Sequence, residues 1–437
     1  MGHLAGKHIY RQLGNKIDQL TMRAPWNEAL YALLKELYTQ EEAELLVEMP
    51  SGMSTLSGIA HCTGRDEAPL RAILDSLCAK GLIIDFWIGE EYHYMISPMV
   101  IGIFEFTMMR TGEHLRTKEW ARLLHDYLDG DDTFIAANYG HREQVSLMRT
   151  LPHERAFGPS EYAEVLDYEK ASAIVEEADT FSVGICSCRH EKFHLEQKTC
   201  NVPLETCTSF GRAAEYLLRH NLAREISKTE MLEQLARSQE QGLVLNGDNV
   251  QRNIAYICHC CTCCCNLLSG INKHGYPNIV VTSSFLAALD SVACSGCGKC
   301  AQACPVHAFT MKPVTHPVSK KRQLPEFNES LCLGCGVCVT TCPANAIQFV
   351  KRAQRVLHPA TIFERVILQA LEKGTLQNQI FNNPHSFTHT MMRGILGGFV
   401  RLPPVKRALM SDMLRSTFLS SLKVGVKMMG KGWVLDM

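Results

Sequence analysis

The chain has 437 residues, 44 Lys and Arg against 45 Asp and Glu, and 46% hydrophobic residues. This composition excludes a collagen-like, coiled-coil or disordered chain, and the length admits two to four domains with real cores. No run of 18 apolar residues is present: the nearest, 95–109, is broken by Pro98 and Glu105, which speaks against a membrane-spanning helix.

The opening MGHLAGKHIYRQLGNK has neither an apolar core nor twin arginines, so we expect a protein that is not exported and works in the cytoplasm. Cysteine is the outlier: of 20, 18 lie between Cys186 and Cys342. In a reduced compartment such clustering points to metal ligands or catalytic thiols rather than disulfides. Charge is also uneven. Residues 351–437 carry 13 Lys and Arg and 4 Asp and Glu, a surplus of +9, which leaves −10 for residues 1–350.

In chain order the pattern predicts a multidomain α+β protein. Residues 27–42 and 67–80 show helical apolar spacing (Leu30, Leu33, Leu34, Leu37; then Leu70, Ile73, Leu74, Leu77), and a short helix is expected at 53–62 after the Pro50-Ser51-Gly52 break. Leu82–Trp87, a turn at Gly89-Glu90 and Tyr92–Ile96 read as a hairpin. Three helices and a hairpin make a winged-helix-like domain at 1–110. Residues 54–100 carry three basic and six acidic side chains, a poor match to phosphates, so nucleic acid is disfavoured against a scaffold or docking role. Residues 111–180 read as a helical connector, with helices near 113–128 and 159–178. His114, His125, His141 and His153 are scattered there and read as surface or satisfied histidines.

Residues 181–290 form a cysteine-rich domain, expected to be α/β and metal-binding. It contains Cys186-Ser-Cys188-Arg189-His190, then Cys200 and Cys207, then Cys258-His-Cys260-Cys261-Thr-Cys263-Cys264-Cys265. Six cysteines in eight residues exceed what a core of free thiols would use. Next, residues 294–305 read Cys294-Ser-Gly-Cys297-Gly-Lys-Cys300-Ala-Gln-Ala-Cys304-Pro305, and residues 332–343 read Cys332-Leu-Gly-Cys335-Gly-Val-Cys338-Val-Thr-Thr-Cys342-Pro343. Each is C-x2-C-x2-C-x3-C-P. A zinc ribbon would show paired C-x2-C knuckles instead.

This duplicated motif resembles the bacterial dicluster ferredoxin family over about 60 residues. The resemblance implies a dicluster ferredoxin fold at 291–350 with two 4Fe-4S clusters. Three thiolates of each repeat wrap one cluster and the fourth reaches the other. Carried over, Cys294, Cys297, Cys300 and Cys342 would hold one cluster, and Cys332, Cys335, Cys338 and Cys304 the other. Gly296, Gly298, Gly334 and Gly336 let the backbone approach, Pro305 and Pro343 fix the turns, and Val306, Phe309, Ile347 and Phe349 supply an apolar lining. Such clusters carry one electron each, usually at the low end of the span of about −700 to +450 mV known for iron–sulfur centres.

The earlier field contains a C-x2-C-x2-C register, Cys258, Cys261 and Cys264, with a fourth ligand available from Cys186, Cys188, Cys200 or Cys207; Cys260, Cys263 and Cys265 remain over. One or two further iron–sulfur clusters are the favoured occupants, ahead of zinc or copper or a thiol/disulfide pair. Arg189 and His190 are candidates to donate hydrogen bonds to the cofactor or to bind an anionic substrate, against a plain surface salt bridge. The C-x-C-R and dense cysteine motifs ahead of a ferredoxin repeat also resemble an uncharacterised ferredoxin-type family. No nucleotide, flavin or haem signature is present.

Residues 351–437 form a basic helical C-terminal region. Ile395, Leu396, Phe399 and Val400 precede Pro403-Pro404. From 405 to 429 Leu409, Met413, Leu414, Phe418 and Leu422 alternate with Lys406, Arg407, Arg415, Lys423 and Lys427. Such a helix covers a domain, docks on an acidic partner or lies peripherally on a membrane surface. The expected function is an iron–sulfur protein passing single electrons between a donor and a partner oxidoreductase. The alternatives are a reductase with its own site in the 186–265 field, or a redox-sensing winged-helix regulator.

Overall fold

The computed structural model describes residues 2–140, 145–163, 165–313, 323–353, 356, 358–428 and 431–436. His141 and Met429, the last residue of the expected tail helix, lie outside the described residues. The chain is α+β and divides into two compact units. One comprises Met1–Val145, Tyr216–Leu222 and Ala360–Met437, the other Ser146–Glu215 and Ala223–Pro359.

In the first unit the expected 27–42 helix is two helices, Glu28–Leu37 and Gln40–Glu48. The break has a local cause. Thr39 accepts from the Glu42 amide, and the Glu42 side chain returns to the Thr39 amide, a capping box that starts a new helix. Leu30, Leu33, Leu34 and Leu37 are buried as their spacing requires. Strand β1 (Ser54–Thr55) leads into the helix Leu56–Thr63, capped by Thr55. The helix Glu67–Ala79 then buries Leu70, Leu74 and Leu77. Strands β2 (Ile83–Ile88) and β3 (Glu91–Ile96) pair antiparallel, in the order β1-β3-β2. Asp85, on β2, accepts from Arg219 Nη2 at 3.0 Å and pairs with His220 Nε2 at 2.9 Å.

The C-terminal helices of this unit are Ile362–Lys373, Leu376–Ile380, Phe387–Val400, Pro403–Met410 and Asp412–Met428. Phe363, Ile367, Leu371, Val400 and Leu419 make a buried cluster joined by Leu396, Leu409, Phe418 and Leu422, and Lys423 pairs with Glu364 at 2.6 Å. Much of the tail's apolar stripe is therefore core-facing. A second stripe is not: Phe387, Met391, Ile395, Phe399 and Leu402 are exposed, as are Met413, Val424 and Met428. No helix among the described residues is long and apolar enough to cross a membrane.

The second unit is built on a seven-stranded sheet. Its strands are β4 (Met148–Leu151), β5 (Phe181–Ile185), β6 (Glu205–Phe210), β7 (Ala223–Glu225), β8 (Val244–Asp248), β9 (Tyr256–Cys260) and β10 (Val280–Val281). Their order is β10-β4-β8-β9-β6-β5-β7, antiparallel throughout except β10 with β4. β4 falls inside the segment read as a helical connector. Its four residues are all buried, so no polar–apolar alternation announces a strand. Helices do occupy Thr117–Leu128, Pro159–Tyr162 and Ala171–Glu177.

On β9, the His259 ring meets Ser238 Oγ at 2.7 Å and Thr208 Oγ1 at 3.1 Å, tying the helix Lys228–Glu240 to one face of the sheet. Side chains alternate along a strand, so Cys258 and Cys260 share the opposite face. After the sheet come two antiparallel pairs: β11 (Phe285–Leu289) with β14 (Ile347–Lys351), and β12 (Phe309–Pro313) with β13 (Gln323–Phe327).

Candidate metal centres

Each C-x2-C-x2-C-x3-C-P repeat folds the same way. A loop carries the first two cysteines, and a left-handed glycine, Gly298 (φ 78°) or Gly336 (φ 84°), opens a five-residue helix carrying the third. The fourth cysteine, Cys304 or Cys342, ends that helix in extended backbone before the proline. The repeats exchange these last residues. Cys294, Cys297, Cys300 and Cys342 line one pocket, with Ile347 in its wall. Cys304, Cys332, Cys335 and Cys338 line a second, with Val306, Phe309 and Phe349.

Main-chain amides aim at the sulfurs. Gly296 N donates to Cys294 Sγ at 3.3 Å, Ala308 N to Cys304 Sγ at 3.2 Å and Ala346 N to Cys342 Sγ at 3.4 Å. Donors of this kind stabilise charge on sulfur. Burial pushes the Cys335 thiol up to about 12 and raises Cys304 and Cys338. The exposed Cys297 lies below the ordinary thiol value because the Lys299 amide and the Ser295 hydroxyl bond it. A metal entering these cavities must therefore displace protons from buried thiols. Four sulfurs around enclosed apolar space, with amide donors, fit a cubane.

The ten cysteines of the earlier field divide into two groups. Cys200, Cys261, Cys263 and Cys264 bring their sulfurs within 4.8 Å of one another. Cys258 does not join Cys261 and Cys264 as the C-x2-C-x2-C register suggests. It lies on β9 beside Cys207, next to the Thr208–Ile257 pair of the β6–β9 ladder, and the two thiols hydrogen-bond. The strand explains this: a three-thiolate loop needs turning backbone at 258, whereas the turn begins only at 261.

Six cysteines make the second group. Cys186 caps the helix Ser187–His194 and Cys265 caps the helix Asn266–His274. The thiols of Cys188 and Cys265 hydrogen-bond, as do those of Cys265 and Cys260, and Cys258 faces Cys207 and Cys186. The Cys207 hydrogen bond and burial drive the Cys258 thiol well up.

Arg189 is fully buried, which removes the surface salt-bridge reading. Its guanidinium donates to the Pro203 and His259 carbonyls at 2.9 Å each, to Thr206 Oγ1, and to Cys261 Sγ at 3.6 Å. Its buried Nε has no hydrogen-bond partner and is an available donor beside the thiols. The Cys264 thiol and the Arg189 cation hold Cys261 down at about 4. His190 is buried and its Nε2 meets His194 Nε2 at 2.9 Å.

Two supporting residues carry no sequence signal. Asn266 Nδ2 donates to the buried Glu191 at 2.6 Å, linking the two capped helices. His153 is fully buried: its amide donates to the Cys335 carbonyl at 2.9 Å and its Nε2 meets the Leu243 carbonyl at 2.7 Å. Leu243 in turn packs against Cys261 and Cys264. His153 is thus buried rather than at the surface and bridges the repeat to the cysteine field, with Nε2 bonded and the buried Nδ1 without a hydrogen-bond partner. A further trio, Cys78, Asp85 and His220, has metal-ligand spacing, but Arg219 already neutralises Asp85.

A family model described as a 4Fe-4S dicluster domain matches residues 293–346. No curated protein and no solved structure matches the chain. The segment is therefore a ferredoxin-type domain, the mark of an iron–sulfur protein.

Proposed function

We propose that this chain carries single electrons between a donor and a partner oxidoreductase, through two 4Fe-4S clusters in the repeat and a further cluster held by the six-cysteine group. The observation that carries the reading is the pair of enclosed cavities, each lined by three cysteines of one repeat and one of the other. When bound, such clusters supply one-electron transfer at low potential. The protein's part is to exclude water, through Phe309, Ile347 and Phe349, and to direct amides at the sulfurs.

Two features support a third cluster. Two helix N-termini, at Cys186 and Cys265, face the six-cysteine group and favour negative charge there. The helix capped by Cys265 also reaches the repeat, Asn272 Nδ2 donating to the Pro305 carbonyl at 2.9 Å. Asn272 lies seven positions along the helix from Cys265, about 10 Å along the axis. Arg189 and His190 lie on the helix that starts at Cys186, and Arg189 is assigned a hydrogen-bonding role toward the thiolates of the field, where it donates to Cys261.

We read the N-terminal helices and hairpin as a winged-helix-like scaffold for protein contacts, because residues 54–100 are net acidic. The exposed Phe387–Leu402 stripe, within a region of charge +9, fits an anionic membrane surface. The test of the electron-carrier reading is anaerobic iron and acid-labile sulfide analysis with electron paramagnetic resonance of the reduced protein. About twelve irons matched by sulfide, with signals from interacting clusters, is the expected result. A chain purified anaerobically without iron or sulfide ends the reading.

A further inference from the structure

We propose that Cys200, Cys261, Cys263 and Cys264 bind a single zinc ion, separate from every iron–sulfur cluster. Four thiolates on one Zn2+ occupy a tetrahedron whose edge is about 3.8 Å for Zn–S bonds of about 2.3 Å. The observed sulfur separations are 3.7 Å for Cys200 and Cys261, 3.8 Å for Cys261 and Cys263, and 3.4 Å for Cys263 and Cys264. A cubane binds each thiolate to a different iron, at its outer corners, so its four sulfurs stand much farther apart. The eight cysteines of the repeat, all among the described residues, form no quartet this tight. The sulfur spacing of the Cys200 group matches the ligand shell of one ion rather than the corners of a cluster.

The surroundings suit that ion. Soft thiolates in a tetrahedron select zinc over harder cations. A zinc tetrathiolate is a dianion, and Arg189 places a buried cation against one of its sulfurs while three carbonyl and hydroxyl oxygens fix the guanidinium. A second row of this kind orients a ligand and tunes its basicity. Val202 and Leu243 pack against Cys200, Cys261 and Cys264, sealing the inner side, and the exposed Cys263 leaves an entry on the outer side.

The consequence is structural. Residues 197–204 form no helix or strand. The ion would staple this loop, through Cys200, to the turn at 261–264, and its binding energy would become folding energy of that corner. The six-cysteine group keeps its own ligands, so the zinc site is an addition to the electron-carrier reading.

The experiment uses the full chain, produced with both metals supplied and purified anaerobically. Zinc, iron and acid-labile sulfide are counted per chain, and zinc X-ray absorption reports ligand type and distance. About one zinc per chain with four sulfur neighbours at about 2.3 Å is expected. Zinc should be lost from C200S and from C263S with iron and sulfide unchanged, and kept in C258S. C263S guards against misfolding, because its side chain is exposed. Removing the zinc with a chelator should expose residues 197–204 to protease.

Zinc absent from the native chain, or retained in both variants, overturns the site. One iron without sulfide in its place overturns the zinc assignment. Iron and sulfide lost together from C200S and C263S overturn the single-ion geometry. Iron is counted in the same samples, so a chain with zinc but no clusters would sink the electron-carrier reading and leave this one standing.

Discussion

Replacing Gly334 by alanine tests how closely the second cysteine loop is built against its neighbours. Gly334 has φ 70°, where an L side chain costs about 1 kcal/mol or more. A Cβ there would lie 2.2 Å from the Phe285 carbonyl oxygen and 2.2 Å from Ser283 Oγ. Neither can move freely. Phe285 begins the β11–β14 ladder opposite Lys351, and Ser283 Oγ donates to the Gly334 carbonyl at 2.8 Å. Relief would break that buried hydrogen bond, about 1 kcal/mol, and strain the strand end by a similar amount. The expected cost is about 3 kcal/mol, which lowers a urea midpoint by about 1 M.

Gly275→Ala is the control. Its φ is 72°, it lies in the same unit, and a Cβ there meets nothing within 4 Å. It should cost only the backbone term, about 1 kcal/mol. The assay is anaerobic urea unfolding followed by far-UV circular dichroism and by the visible absorbance of the clusters. Cys335 adjoins Gly334, so bleaching should come earlier in Gly334→Ala than in Gly275→Ala. Equal midpoints for the two variants would refute the steric argument, because their φ angles are nearly the same.

Further outcomes follow from other parts of the fold. Cys342→Ser should remove one ligand from the first cavity while leaving the Cys304 quartet complete, so iron and sulfide fall by about four each and about two-thirds of the reduced signal persists; loss of both repeat clusters would show that they are not held independently. Burial raises the Asp85 carboxyl, but the His220 and Arg219 hydrogen bonds outweigh it and hold it below the ordinary value. Its stabilisation is therefore present above the unfolded value of about 3.9 and lost as pH falls below it. Asp85→Asn should cost about 3 kcal/mol at pH 7 and much less in acid, read from urea midpoints at both pH values; an equal cost at both contradicts the ion pair. Ile395→Glu should abolish co-sedimentation with anionic vesicles without changing the iron content, and undiminished binding would discard the membrane surface.

The parts of this protein legible from its amino acids alone share one property: their information is local. The C-x2-C-x2-C-x3-C-P repeat announces its chemistry because three ligands sit on one loop, and duplication supplies the fourth. The helices at 28–37 and 67–79 were legible for the same reason, a periodicity confined to a few turns. Strand β4 was not, because four buried residues carry no alternation. The ten-cysteine field was visible as a site but not as two. Its division depends on where strand β9 stops: Cys258 and Cys260 share a sheet face with Cys207, while the turn beyond carries Cys261, Cys263 and Cys264 to Cys200. Residue spacing does not encode a partner 61 positions away, nor a sheet neighbour 51 positions away. The burial of Arg189 and the bridge through His153 belong to the same class, since burial is a property of what packs around a residue. Chain spacing therefore named the cysteines, and long-range packing decided which of them meet.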